Sequence, residues 1–190
     1  MMVVGGIVHE EMYSKVFMKM GGMFEMVQLW VNLPAQHKMS PPAYQDFVDG
    51  RILKIWLAED AGSVRVIAGA FGGERGPART HTPIELWDLL LAVGRKAQLR
   101  VHDGQSTGLR FLRGGGRVNS RNVEEGGFVV LGRDGETITI EAADDATILL
   151  LSGAPIGEPV VGYGPFVMNS DNEIRQAITD YRAGKMGHLS

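Results

Sequence analysis

Large apolar residues along this chain alternate with polar ones over short stretches, and most of those stretches end on Gly, Pro or Asp-Gly. In an extended chain successive side chains point to opposite faces, so such alternation marks a strand with one buried side. Phe24 to Leu33 (FEMVQLWVNL) is the first stretch of this kind, with Phe24, Met26, Gln28, Trp30 and Asn32 on one face. Val64 to Phe71, Ile84 to Leu91, Gln98 to Val101, Leu109 to Leu112, Phe128 to Leu131, Thr137 to Glu141 and Thr147 to Leu151 follow. Asp134-Gly135 stands between Val129-Val130-Leu131 and Ile138-Thr139-Ile140, which predicts a hairpin connection there. Many short strands punctuated by turns predict an all-β fold of sandwich, jelly-roll or barrel type.

The period changes once, near the end of the chain. Ser170 and Glu173 have the S-x-x-E spacing of a capping box, and Ile174, Ala177, Ile178 and Tyr181 then recur at i, i+3, i+4 and i+7. Gly184 follows as the natural stop, so a short C-terminal helix is predicted. Two stretches interrupt the strand pattern: Pro34 to Pro42 (PAQHKMSPP) and the polar Leu57 to Ser63 (LAEDAGS). They suggest one unit over residues 1–58, a compact β-domain over 59–165, and a tail with the helix over 166–190.

Composition adjusts this picture in a few places. Gly supplies 26 of the 190 residues, against a usual share of roughly 7%, and it is spread between the apolar runs as turn punctuation. The net charge is -3, with Lys and Arg scattered, so no nucleic-acid footprint is expected. The absence of cysteine excludes disulfides, thiolate zinc sites and a cysteine nucleophile. Apolar runs such as Ala146 to Leu151 are strand-length, too short for a membrane span. Met1 to Gly6 has neither the basic region nor the cleavage site of a signal peptide, so a soluble cytoplasmic protein is expected.

The sharpest chemical signal is Gly6-Ile7-Val8-His9-Glu10-Glu11. If it is extended, His9 and Glu11 share a face, and an imidazole beside a carboxylate offers two ligands to iron(II), manganese or zinc. An exposed polar strand end would carry the same residues. His37, His81, His102 and His188 have no partner at ligand spacing. Five methionines between Glu11 and Met26, with Met1 and Met2, suit a packed loop over a barrel better than a copper site. Gly72-Gly73 and Gly114-Gly115-Gly116 open no predicted helix and lack the phosphate-loop pattern, so they are expected in turns.

Three segments in order resemble the pirin family: Gly5 to Met12 (GGIVHEEM), then Gln28 to Ala35 (QLWVNLPA) with Lys38 to Asp46 (KMSPPAYQD), and finally Gly164 to Ser170 (GPFVMNS) with Ala183 to Gly187 (AGKMG). The resemblance implies a bicupin of two jelly-roll barrels, whose N-terminal barrel holds a metal, usually iron, on three histidines and one glutamate. His9 and Glu11 match the last two of those ligands, whereas the H-x-H that supplies the first two is found nowhere in this sequence. The implied architecture is therefore an all-β cupin domain preceded by a remnant of an N-terminal cupin, as in an N-terminally truncated pirin.

The resemblance further implies a metal-dependent dioxygenase of quercetin 2,3-dioxygenase type. Iron(II) or another divalent first-row metal would be its cofactor, a flavonol-like small molecule its substrate, and Glu11 a group close to the substrate hydroxyl. With two of four ligands, impaired activity is expected. A regulatory pirin that binds a protein partner is the alternative, as is an inactive truncated product. The uncovered strand edges of an incomplete barrel also favour self-association.

Overall fold

The computed structural model describes residues 5–189. They fall into two compact units: one of residues 46–155, and one in which the segment up to Gln45 joins the segment from Ile156 onward. Met1 to Val4, including the first two methionines of the methionine-rich stretch, lie outside the described residues.

The unit of residues 46–155 contains twelve strands. These are β1 (Leu53–Trp56), β2 (Gly62–Ala68), β3 (Ala70–Phe71), β4 (Glu74–Arg75), β5 (Ile84–Leu91), β6 (Lys96–Arg100), β7 (Ser106–Arg113), β8 (Gly116–Val118), β9 (Arg121–Val123), β10 (Phe128–Val130), β11 (Thr137–Ala142) and β12 (Ala146–Gly153). Six form one sheet in the order β1-β2-β5-β12-β7-β10, and four form a second in the order β6-β11-β8-β9. All the ladders within these sheets are antiparallel. Taken alone, β5 to β12 alternate between the sheets as two interleaved Greek keys, which is the jelly roll.

Alternation along the strands builds the core. In β5 the inward phase is Glu85, Trp87, Leu89 and Leu91, all buried. Val64 and Val66 of β2, Leu109 and Phe111 of β7, and Ile148 and Leu150 of β12 meet Leu99 of β6, Val118 of β8, and Ile138 and Ile140 of β11. Burial of these apolar side chains is the main term favouring the fold. Glycine marks close approaches within it. A Cβ on Gly116 of β8 would lie 2.3 Å from the Glu141 carbonyl oxygen. Only Gly114 of that glycine run takes a positive φ, of 66°, so the run is a turn that leads into a strand rather than a turn throughout.

Two local expectations are corrected. Asp134-Gly135 does turn, with Gly135 at φ 97°, but it joins no hairpin: β10 pairs with β7, while β11 pairs with β6 and β8 in the other sheet. The turn is held instead to the loop after β6, where the Gly135 N–H donates to Asp103 Oδ1 at 2.7 Å and the Gly104 N–H donates to the Arg133 carbonyl at 2.8 Å. Of Leu57 to Ser63, residues 57–61 form a tight turn between the paired strands β1 and β2, closed by the Leu57 N–H on the Gly62 carbonyl at 3.0 Å, and the last two residues already belong to β2.

The other unit carries little regular structure: helices α1 (Lys15–Met20), α2 (Ala35–Lys38) and α3 (Asp171–Arg182), and a hairpin of β13 (Val161–Tyr163) and β14 (Phe166–Met168). Phe24 to Leu33 forms no strand, which corrects the sequence-based expectation. An alternating segment needs a hydrogen-bonding neighbour to become a strand, and the described residues supply none here. The expectation of a packed methionine-rich loop is corrected as well. Met12, Met18, Met20, Met23 and Met26 are exposed rather than packed, Met23 at 88%.

Helix α3 follows the capping rules read from the sequence. Ser170 Oγ accepts from the Glu173 N–H at 3.3 Å, and Glu173 Oε2 reaches back one residue further, to the Asn169 N–H at 3.0 Å. Ile174 is the buried member of the apolar stripe. At the other end the Gly184 N–H donates to the Tyr181 carbonyl and the Lys185 N–H to the Asp180 carbonyl, both at 3.0 Å, with Gly184 at φ 72°. That pair of bonds is the Schellman motif, and it requires the left-handed residue that glycine provides. Ser170→Ala is expected to cost about 0.5–2 kcal/mol, read as faster amide hydrogen exchange within α3 while the jelly-roll amides keep their protection.

Candidate functional site

His9 and Glu11 lie on an exposed segment without regular structure. Its placement is set just upstream. The Gly5 N–H donates to the Lys38 carbonyl at 2.7 Å, and the Val8 N–H donates to the Met186 carbonyl at 2.8 Å. Gly6, at φ 84°, lies so close to Met186 that a Cβ would meet its sulfur at 2.5 Å. The segment therefore rests on two of the stretches the sequence singled out, KMSPP after α2 and AGKMG after α3.

Beneath it is a polar network that sequence reasoning missed. Lys38, at the end of α2, is buried with 8% of its surface exposed. Its Nζ donates to Asn32 Oδ1 at 2.6 Å and to the Val167 carbonyl at 3.1 Å. Burial pushes the Lys38 ammonium below its ordinary pKa of 10.5, and the negative charges of Glu158 and Glu173 partly oppose that shift. Glu158 Oε2 in turn accepts from the Ala35 N–H at 2.7 Å and from Asn169 Nδ2 at 3.1 Å. The network ties the QLWVNLPA and KMSPP stretches to the GPFVMNS stretch. The available signal was the presence of Asn32, Lys38 and Asn169 inside two of the three segments that carry the family resemblance.

His102 lies in the β-domain, where its Nε2 is 3.7 Å from Glu85 Oε1. Among the described residues no group of three or more His, Cys, Asp or Glu is placed to hold a metal ion. His9 and Glu11 are donors of a type that first-row divalent ions accept. Two donors are nonetheless fewer than the three protein ligands of a typical catalytic metal, so the set present does not by itself fit the ion.

Residues 86–187 match the model of the pirin C-terminal cupin domain. The chain belongs to the pirin family. Within that family it is 45% identical over 185 residues to a Pseudomonas aeruginosa protein provisionally named a quercetin 2,3-dioxygenase, an overlap of 97% of this chain and 65% of the relative. It is 41% identical to a pirin-like protein of Caulobacter vibrioides, over 95% of this chain and 64% of the relative. The crystal structure of a quercetin 2,3-dioxygenase from Acinetobacter baumannii superposes with a TM-score of 0.81 at 40% identity, covering 85% of this chain and 56% of that one. This pirin chain thus spans a little under two-thirds of the length of the curated relatives it matches. The cupin fold agrees with the jelly-roll topology, and no helix among the described residues is long and apolar enough to cross a membrane.

Proposed function

We propose that this pirin chain serves a dioxygenase reaction of the quercetin 2,3-dioxygenase kind. In this reading His9 and Glu11 are two ligands of a divalent first-row metal, iron foremost, and a flavonol-like molecule is the substrate. Glu11 is the candidate catalytic group, with its carboxylate positioned to accept a hydrogen bond from a substrate hydroxyl. The observation that carries the reading is the 40% identity and 0.81 TM-score with a quercetin 2,3-dioxygenase over 85% of this chain. When bound, the metal would supply sites for substrate and oxygen. Two ligands hold it weakly, and turnover is expected to be low.

The test is to mix the chain anaerobically with iron(II) and quercetin, admit air, and follow loss of the flavonol absorbance. The Acinetobacter enzyme, run alongside, is expected to be faster by at least roughly a hundredfold, since even losing a group that only orients a metal's ligand costs ten- to a hundredfold. Any slow turnover is expected to disappear in Glu11→Ala. A rate equal to that of the Acinetobacter enzyme contradicts the view that two donors are too few. Slow turnover that survives Glu11→Ala contradicts the assignment of that residue.

A second reading, binding to a protein partner or to another copy of the chain, is favoured by one observation. In the unit that contains His9, Met12, Met18, Met20, Met23, Phe24, Met26 and Trp30 are all exposed. Exposed apolar side chains in this number favour association.

A further inference from the structure

The jelly roll holds a buried carboxylate that neither the core nor the His9–Glu11 reading uses. Glu85 falls on the inward phase of β5, whose other inward members are apolar, and keeps only 7% of its surface exposed. One of its oxygens is structural. Oε2 accepts from the Ala70 N–H at 2.8 Å and lies where a Cβ on Gly69 would come within 1.9 Å of it, at the irregularity where β2 gives way to β3. The other oxygen, Oε1, has His102 Nε2 at 3.7 Å, beyond hydrogen-bond distance. The His102 side chain is itself 73% exposed, so Oε1 faces a group at the protein surface. Burying a charge is costly unless it is both paired and hydrogen-bonded, and one half of this carboxylate is neither.

Glu85 and His102 both line a pocket of about 190 Å3. The backbone fixes its rim: Arg100 pairs with Thr137 in the ladder of β6 and β11, and the Val101 N–H donates to the Glu136 carbonyl at 2.9 Å. Arg100 and Glu136 also line the pocket, and Arg100 Nη2 lies 3.4 Å from Glu136 Oε2, so these two charges offset each other. The charge left over is that of Glu85. An anion would be repelled by it, and a neutral hydroxyl would leave it uncompensated. A metal ion needs several donors, and among the described residues no group of three or more His, Cys, Asp or Glu is placed to hold one. An organic cation answers the charge. A primary ammonium answers the unused oxygen too, because it donates a charge-assisted hydrogen bond to a carboxylate.

We propose that this pocket of the C-terminal cupin domain is a binding site for a small primary ammonium compound, its cation held on Glu85 Oε1. Ala70, Trp87 and Val101 supply apolar walls for the carbon chain that carries the ammonium. The site is independent of the metal reading, since none of its residues belongs to the His9–Glu11 segment.

The test uses the intact chain labelled with nitrogen-15 and reads the amide of Ala70, whose proton lies on the Glu85 carboxylate. Amides of α3, in the other unit, serve as internal controls. Titration with n-butylammonium at constant ionic strength is expected to move the Ala70 and Val101 resonances and leave those of α3 in place. n-Butanol, of the same length without the charge, is expected to bind roughly ten- to a hundredfold more weakly, the usual value of a hydrogen bond to a charged group. Glu85→Gln preserves an acceptor for the Ala70 N–H, and it should weaken n-butylammonium binding to the same extent while leaving that of n-butanol as it is. An Ala70 resonance unmoved by n-butylammonium overturns the proposal and leaves Oε1 to His102. Equal affinities for the ammonium and the alcohol overturn it as well, since the pocket would then be reading only the carbon chain. Both of those outcomes are read on the wild-type chain, so they stand even where Glu85→Gln folds poorly.

Discussion

Phe111→Ala is expected to remove about 3–5 kcal/mol from the stability of the jelly roll, the range for deleting a buried phenylalanine. Phe111 sits on β7 at 0% exposure, among side chains from both sheets. Its backbone also holds the neighbouring turn, since its N–H donates to the Gly127 carbonyl at 3.0 Å and its carbonyl accepts from the Gly126 N–H at 2.9 Å. Domain stabilities are of order 5–15 kcal/mol, so a loss of this size takes a large share of the total. Urea denaturation should show a much lower midpoint with an unchanged m-value. Phe111→Leu, which fills most of the space, should recover the greater part. A loss below about 1 kcal/mol for the alanine variant would be incompatible with a close-packed position.

The second large effect is expected at Lys38. Lys38→Met keeps the length of the side chain but strands Asn32 Oδ1 and the Val167 carbonyl without their donor. The expected cost is about 1–3 kcal/mol, local to the unit that contains α3. It should appear as lost amide-exchange protection there, with the jelly roll unaffected. The effect also carries a pH signature. Because burial lowers the folded-state pKa of Lys38 below 10.5, the unfolded chain binds more protons between the lowered value and the ordinary one. Stability contributed by this group therefore rises with pH across that window. The cost of Lys38→Met should grow as pH is raised from the lowered pKa toward 10.5. A cost that shrinks over the same range would contradict the burial assigned to the ammonium.

Lys38 also shows where sequence reading reaches its limit. A lysine in a Pro-bounded stretch reads as solvated, because lysine is almost never fully buried unless paired. Its partners lie 6 and 129 residues away, and no local pattern reveals the second. By contrast, Ile84 to Leu91 was legible to the residue, since its alternation matches a half-buried strand and its neighbours on both sides are provided. Phe24 to Leu33 alternates just as well and is not a strand, because pairing depends on a neighbour that alternation cannot report. Strands β8 and β9, three residues each, were too short for any period to emerge. Glu85 was readable in principle: it falls on the inward phase of a strand whose other inward members are apolar, and that mismatch is the signal. The His9–Glu11 pair was found from its spacing and the family resemblance, but spacing says nothing of a third ligand, and among the described residues no group of three such donors is placed to hold an ion.

In the proposed reading His9 and Glu11 are metal ligands in a set too small to hold an ion tightly. Titration of the chain with cobalt(II), followed by the ligand-field absorption of the bound ion, tests it directly. Weak binding is predicted, weakened further by at least roughly tenfold in His9→Ala and in Glu11→Ala and unchanged in His102→Ala. Tight binding, or binding that neither His9→Ala nor Glu11→Ala alters, would contradict it.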